Sequence, residues 1–134
     1  MYKIGIIDKM NDKGIDLLKS NNDFKVDVIT DLSRENLLKV LPKYDGVTLR
    51  RGKLDSKILK GCKNLRVIAR HGVGYDNVDT EYCKENNITL LVTHNSTSTS
   101  PAEHIMFMIL NIYKGREMFD KMVRDGKFHK AIHL

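Results

Sequence analysis

Two glycines one residue apart, Gly72 and Gly74, stand between a short apolar run, Leu65 to Ala69, and a helix-forming segment from Thr80 to Glu85. Glycine lets the backbone turn tightly where a strand ends, and it leaves successive N–H groups uncovered by side chains. Arg70 and His71 directly precede the pair. Bare amides beside cationic side chains suit an anion, most simply a carboxylate. A second basic group, Arg50-Arg51-Gly52-Lys53, follows another strand-like run, Asp45 to Leu49. On residue type alone these arginines are either ligand contacts or surface charges that solvate a loop.

Other reactive side chains carry less. His71 lies nearest the proposed anion, but no carboxylate is spaced to orient it as an acid, so it is read as a structural or anion-contacting residue. His94 and His104 flank a polar connector, and His129 and His133 fall in an aperiodic tail. None has the spacing of a metal site. Cys62 and Cys83 show no C-x-x-C spacing, which disfavours a disulfide or zinc site and fits a reducing cytoplasm. No catalytic residue and no metal ligand is assigned.

The glycine turn needs a scaffold, and strand and helix signals alternate along the chain to supply one. Strands are expected at 2–8, 24–29, 45–49, 65–70 and 88–93, and helices at 11–21, 33–41, 55–61 and 79–86. Ile15, Leu17 and Leu18, then Leu37, Leu38 and Leu41, supply apolar faces. Ser33 and Asp55 signal helix starts, and Pro42 ends the second helix. Such β-α repeats predict an α/β fold: a parallel five-stranded sheet with flanking helices and ligands beyond the carboxyl ends of the strands. Ser100-Pro101-Ala102-Glu103 reads as a capping box opening a long C-terminal helix to about residue 125, with Asp125-Gly126 as its stop. That helix is apolar on more than one face and needs partners on two sides. Before it, His94 to Thr99 reads as a polar hinge.

Composition sets the outer limits. The 134 residues suffice for a compact domain, and 41% hydrophobic with 30% charged residues is ordinary for a globular protein. The net charge of +6 is spread over scattered lysines, with no Trp and no aromatic-basic interleaving, so nucleic acid is not an expected partner. The longest apolar run, Ile105 to Leu110, is far too short to span a bilayer, and the amino terminus reads as a strand. A cytoplasmic protein without membrane partners is expected.

Three blocks, Val47-Thr48-Leu49-Arg50, Leu65 through Asp79, and Asn95 through His104, make the chain resemble the N-terminal part of the D-isomer-specific 2-hydroxyacid dehydrogenases, phosphoglycerate dehydrogenase-like members above all. The likeness implies a flavodoxin-like substrate-binding domain at 1–99, a connecting helix at 100–125 that belongs to the cofactor domain in the family, and a tail at 126–134. It implies that Gly72, Val73 and Gly74 lend amides to the substrate carboxylate, that Arg50 helps hold the anion, and that Val73 and Ser98 border the nicotinamide of NAD. Arg51 is left as a solvated charge. His94 and Pro101 depart from the family pattern, both in the connector.

Within the 134 residues no G-x-G-x-x-G occurs: Gly72-Val73-Gly74 runs on to Asn77 where a third glycine is needed. The resemblance places the family's catalytic arginine, glutamate and histidine further downstream. The expectation is therefore a fragment or truncated member of an NAD-dependent oxidoreductase, inactive alone and without tight NAD binding. Its partners would be a small 2-oxo or 2-hydroxy acid and a second copy through helix 101–125. The alternative is a non-catalytic module for carboxylate binding or assembly.

Overall fold

Five short strands rich in Ile, Val and Leu, each followed by a polar-capped helix or turn, pair side by side in the computed structural model, which describes residues 1–94 and 98–127. The strands are β1 (Tyr2–Ile7), β2 (Phe24–Ile29), β3 (Gly46–Leu49), β4 (Val67–Arg70) and β5 (Thr89–Val92). Their order is β2-β1-β3-β4-β5 and every pairing is parallel. This is the flavodoxin-like arrangement, as expected, with its switch point between β1 and β3.

The helices are α1 (Asp12–Lys19), α2 (Arg34–Val40), α3 (Ser56–Leu59) and α4 (Thr80–Glu85), with a 3-10 turn at Leu41–Lys43 around Pro42. Each of the four begins at a side-chain cap: Asn11, Ser33, Asp55 and Asp79 accept from Lys13, Asn36, Ile58 and Tyr82 amides respectively. Such caps satisfy donors that the first helical turn leaves unpaired. The second and third starts are those the sequence signals.

Ile7, Leu49, Leu54, Ile68, Leu37, Leu41, Ile58, Leu59, Cys62 and Cys83 belong to one buried cluster. Ile6 is equally buried outside that cluster, as alternation along a strand requires. The apolar faces expected of α1 and α2 are narrower than their leucines. Leu17 and Leu38 are exposed while Ile15, Leu37 and Leu41 are buried, because the helical period turns these neighbours outward.

Asp55 links this packing to pH. Arg34 donates to it twice, at 2.6 and 3.2 Å, and the Ile58 amide adds a third bond at 3.1 Å. The Arg34 hydrogen bond, first among the causes, holds the Asp55 carboxyl below its ordinary 3.8. A depressed folded value contributes stability that is present above the unfolded value and is lost as pH falls through the folded one. Asp55→Asn is therefore expected to lower the urea midpoint at neutral pH and to flatten its fall on acidification. Identical pH profiles would contradict this.

The chain divides into two units, Met1–Asn95 and Ser96–Leu134. In the second, the long C-terminal helix is present with a break. It comprises α5 (Thr99–Tyr113) and α6 (Arg116–Arg124), separated at Lys114-Gly115, where Gly115 takes φ +56°. Glycine adopts that left-handed conformation without a Cβ penalty, so an apolar pattern that continues past it does not keep the helix continuous. The helix also starts earlier than the expected capping box. Ser98 is the N-cap and Pro101 sits inside the first turn, where its missing N–H has no partner to lose. Gly126 closes α6 in a left-handed turn as expected, its amide bonding to Val123 O at 3.1 Å. Half of the expected hinge, at 95–97, and the tail from 128, with His129 and His133, lie outside the described residues.

Candidate functional site

Strand β3 delivers Arg50 and β4 delivers the glycine turn at the same end of the sheet. The register pairs Leu49 with Arg70, so Arg50 and His71 are the next residues along adjacent strands. The backbones stay joined there: Arg50 N–H donates to Ile7 O at 3.3 Å and His71 N–H to Leu49 O at 2.8 Å. Both basic clusters thus lie at carboxyl strand ends, where parallel sheets take their ligands.

Arg70 is part of the scaffold. Its Nε donates to Asn77 Oδ1 at 3.2 Å, and its Nη1 donates to Leu49 O at 3.3 Å and to His71 O. Asn77 in turn donates from Nδ2 to Gly52 O at 2.7 Å. Leu54 and Val78 form a parallel bridge, with Leu54 N–H to Asn77 O at 2.9 Å and Asp79 N–H to Leu54 O at 3.0 Å. The loops leaving β3 and β4 are therefore sewn into one piece. A guanidinium committed to these three acceptors acts as a brace for the turn.

Of the three residues expected to lend amides, Gly72 is corrected. Its N–H donates to Thr93 Oγ1 at 3.0 Å and lies 3.0 Å from Arg70 O, while Gly72 O accepts from Thr93 N–H at 3.2 Å. The turn is thereby fastened to the exit of β5. Gly72 is needed for its backbone: φ is +145°, and a Cβ there would meet Arg70 Nη1 at 2.9 Å. Among the described residues nothing accepts from the Val73 or Gly74 amides. Val73 is half exposed and Gly74 is exposed, so these two N–H groups remain open to a ligand.

At the end of β3 the charge is cationic and paired with Asp8. Arg50 is exposed, with its Nη1 3.8 Å from Asp8 Oδ2. Arg51 is solvated, as expected, and also anchored: its Nε and Nη2 reach Asp8 Oδ2 and Oδ1 at 2.6 and 3.1 Å. That hydrogen bond is the main cause holding the Asp8 carboxyl below its ordinary range. No motif points to Asp8 or Thr93, and Asn77 stands in the glycine block without a sign of its partners there. The one available signal for Asp8 is an acid at the end of the strand beside two arginines at the end of its neighbour. His71 is exposed, and its backbone takes part in the turn.

Ser98 belongs to the second unit, as the N-cap residue of α5. The residues present do not make a dinucleotide site around the glycine turn. The next helix, α4, starts only at Thr80, and the Asp79 carboxylate already caps it by accepting from Tyr82 N–H at 3.0 Å. A pyrophosphate needs a glycine turn opening straight into an uncapped helix N-terminus. A groove of about 560 Å³ lies elsewhere, beside β2, where Tyr44 Oη donates to Asp27 Oδ2 at 3.1 Å. Among the described residues no group of three or more His, Cys, Asp or Glu is placed to hold a metal ion.

A five-stranded parallel sheet of this order with flanking helices, its open amides and arginines gathered at the carboxyl ends of the strands, defines an α/β domain. The sequence model of the family described as D-isomer specific 2-hydroxyacid dehydrogenase, catalytic domain, matches residues 4–125, and the chain belongs to that family.

A D-3-phosphoglycerate dehydrogenase of Archaeoglobus fulgidus is 30% identical over 129 residues, covering 96% of this chain and 24% of the relative. A hydroxypyruvate reductase of Thermotoga maritima is 28% identical over 130 residues, covering 96% and 42%. A solved protein of Pyrococcus horikoshii superposes with a TM-score of 0.81 at 27% identity, over 97% of this chain and 39% of that one. The NAD+-bound 3-phosphoglycerate dehydrogenase of Entamoeba histolytica does so at 0.71 and 28%, over 82% and 38%. The chain spans from about a quarter to about two-fifths of the length of these relatives.

Proposed function

We propose that residues 1–99 are the substrate-holding part of an NAD-linked 2-hydroxyacid dehydrogenase, gripping the carboxylate of a small 2-oxo or 2-hydroxy acid. The observation that carries this is the pair of amides at Val73 and Gly74, without a partner among the described residues, on the turn that leaves β4 next to the end of β3, where Arg50 stands. Two N–H donors and a guanidinium match a carboxylate in number and charge. The share of the reaction assigned here is binding and orientation of the acid. Hydride chemistry belongs to NAD in the longer relatives, with Val73 and Ser98 proposed to border it. The chain by itself is expected neither to bind NAD tightly nor to oxidise NADH with hydroxypyruvate.

Titration calorimetry with glyoxylate tests the binding. Arg50→Ala is expected to weaken it roughly tenfold, as for loss of a charge-assisted contact. Equal affinity in wild type and variant would remove Arg50 from the site, and absence of binding in the wild type would remove the proposal.

An assembly role for the second unit has its own observation. Ile105 to Leu110 on α5 are all about half exposed, Ile112 and Tyr113 more so, and Asn111 Oδ1 is buried without a hydrogen-bond partner among the described residues. So much apolar surface on one helix marks an interface. The partner proposed is a second copy, giving a dimer, and sedimentation showing a strict monomer at high concentration would oppose it. Among the described residues no helix is long and apolar enough to cross a membrane. The buried free thiols of Cys62 and Cys83, the former pushed up to about 11 by burial, suit the reducing cytoplasm proposed as its compartment.

A further inference from the structure

Asp8 is the charged group that no motif accounts for. It follows the last residue of β1, beside β3, at the point where the strand order reverses. Its backbone is left-handed at φ +68°, with its N–H donating to Ile29 O at 3.0 Å. That conformation takes it out of the alternation of the strand. Its side chain is only 11% exposed, and an ionised carboxylate so removed from water persists only with cationic partners. Arg51 supplies a two-pronged one, and Arg50 stands within ion-pair distance at 3.8 Å.

A negative charge at the end of a sheet that receives an anion has the wrong sign for attraction. It has the right chemistry for orientation. Exposed arginines on a loop sample many rotamers, and a planar guanidinium fixed by two parallel bonds to a carboxylate samples few. Arg51 and Arg50 are consecutive, so holding the first also limits where the backbone can present the second.

We infer that Asp8 is a positioning residue of the anion site, using Arg51 as a strut between the ends of β1 and β3 so that the Arg50 guanidinium is in place for a carboxylate at the Val73 and Gly74 amides. This rests on the binding role proposed for that turn. Arg51 is then a structural partner of Asp8 and makes no substrate contact. The cluster retains one net positive charge, which suits a monocarboxylate.

Charge and geometry make opposite demands on Asp8→Asn. Removing a negative charge beside an anion site tightens anion binding by simple electrostatics, whereas losing the strut weakens it. Asparagine tolerates the left-handed backbone, so the variant keeps the local fold. Arg51→Lys removes the fork and keeps the charge.

The test is calorimetric titration of glyoxylate into wild type, Asp8→Asn, Arg51→Lys and Arg50→Ala, with thermal melts to confirm folding. The expected result is weaker binding in both Asp8→Asn and Arg51→Lys, by roughly fivefold to tenfold. Asp8→Asn binding as tightly as wild type or tighter, while Arg50→Ala still weakens binding, would overturn the positioning role and leave the carboxylate site standing. A wild-type chain that binds no glyoxylate would overturn both.

Discussion

Gly72→Ala is expected to damage fold and binding together. At φ +145° an L residue is strained, which costs about 1–3 kcal/mol where the surroundings hold the conformation in place. The new Cβ would also stand 2.9 Å from Arg70 Nη1. A free arginine would swing aside at little cost, but this one donates to Leu49 O, His71 O and Asn77 Oδ1. Displacing it releases the brace under the turn that presents the Val73 and Gly74 amides. Urea unfolding should show a lower midpoint, and glyoxylate titration should show weaker binding than in Arg50→Ala, which leaves the turn intact. Wild-type values in both measurements would mean that the brace is dispensable.

Leu54→Ala should have the largest effect on stability. Leu54 is fully buried in the main cluster, and removing such a side chain costs about 2–5 kcal/mol through lost transfer energy and an unfilled cavity. For a domain of ordinary marginal stability that is a large fraction of the whole. Leu54 also carries the bridge to Val78, so the cavity opens at the joint between the loops that leave β3 and β4. The contrast with Ile58→Ala is informative. Ile58 is also buried in that cluster but lies on α3 and takes no part in the bridge, so its loss should lower stability while sparing affinity in the folded fraction. Chemical denaturation followed by binding measurements on folded samples separates the two effects. Equal affinity in the two variants would mean that the joint does not shape the site.

Much of this architecture is legible in the chain because it rests on local chemistry. Runs such as Tyr2 to Ile7 and Val67 to Arg70 are short and rich in apolar or β-branched residues, and Ser33, Asp55 and Pro42 act within one helical turn of where they stand. The glycine turn is legible for the same reason, since tight backbone geometry needs glycine at the spot. What escapes is whatever depends on a distant partner. Asp8 finds Arg51 43 positions away, Asn77 finds Gly52 25 away, and Gly72 finds Thr93 21 away. No spacing rule predicts such pairs, and the last of them commits the Gly72 amide within the chain, leaving those of Val73 and Gly74 for the proposed ligand. Gly115 escapes differently. A glycine inside an apolar helical pattern costs only about 1 kcal/mol and is often tolerated, so the pattern across residues 101–125 does not reveal the break.

The central claim is that a carboxylate docks on the backbone of the turn after β4. Amide-resolved NMR titration of the chain with glyoxylate reads this directly. The Val73 and Gly74 N–H resonances should shift most and saturate together, while Gly72, already bonded to Thr93, moves less. Shifts confined to arginine side chains, with the Val73 and Gly74 amides unmoved at saturation, would contradict the account.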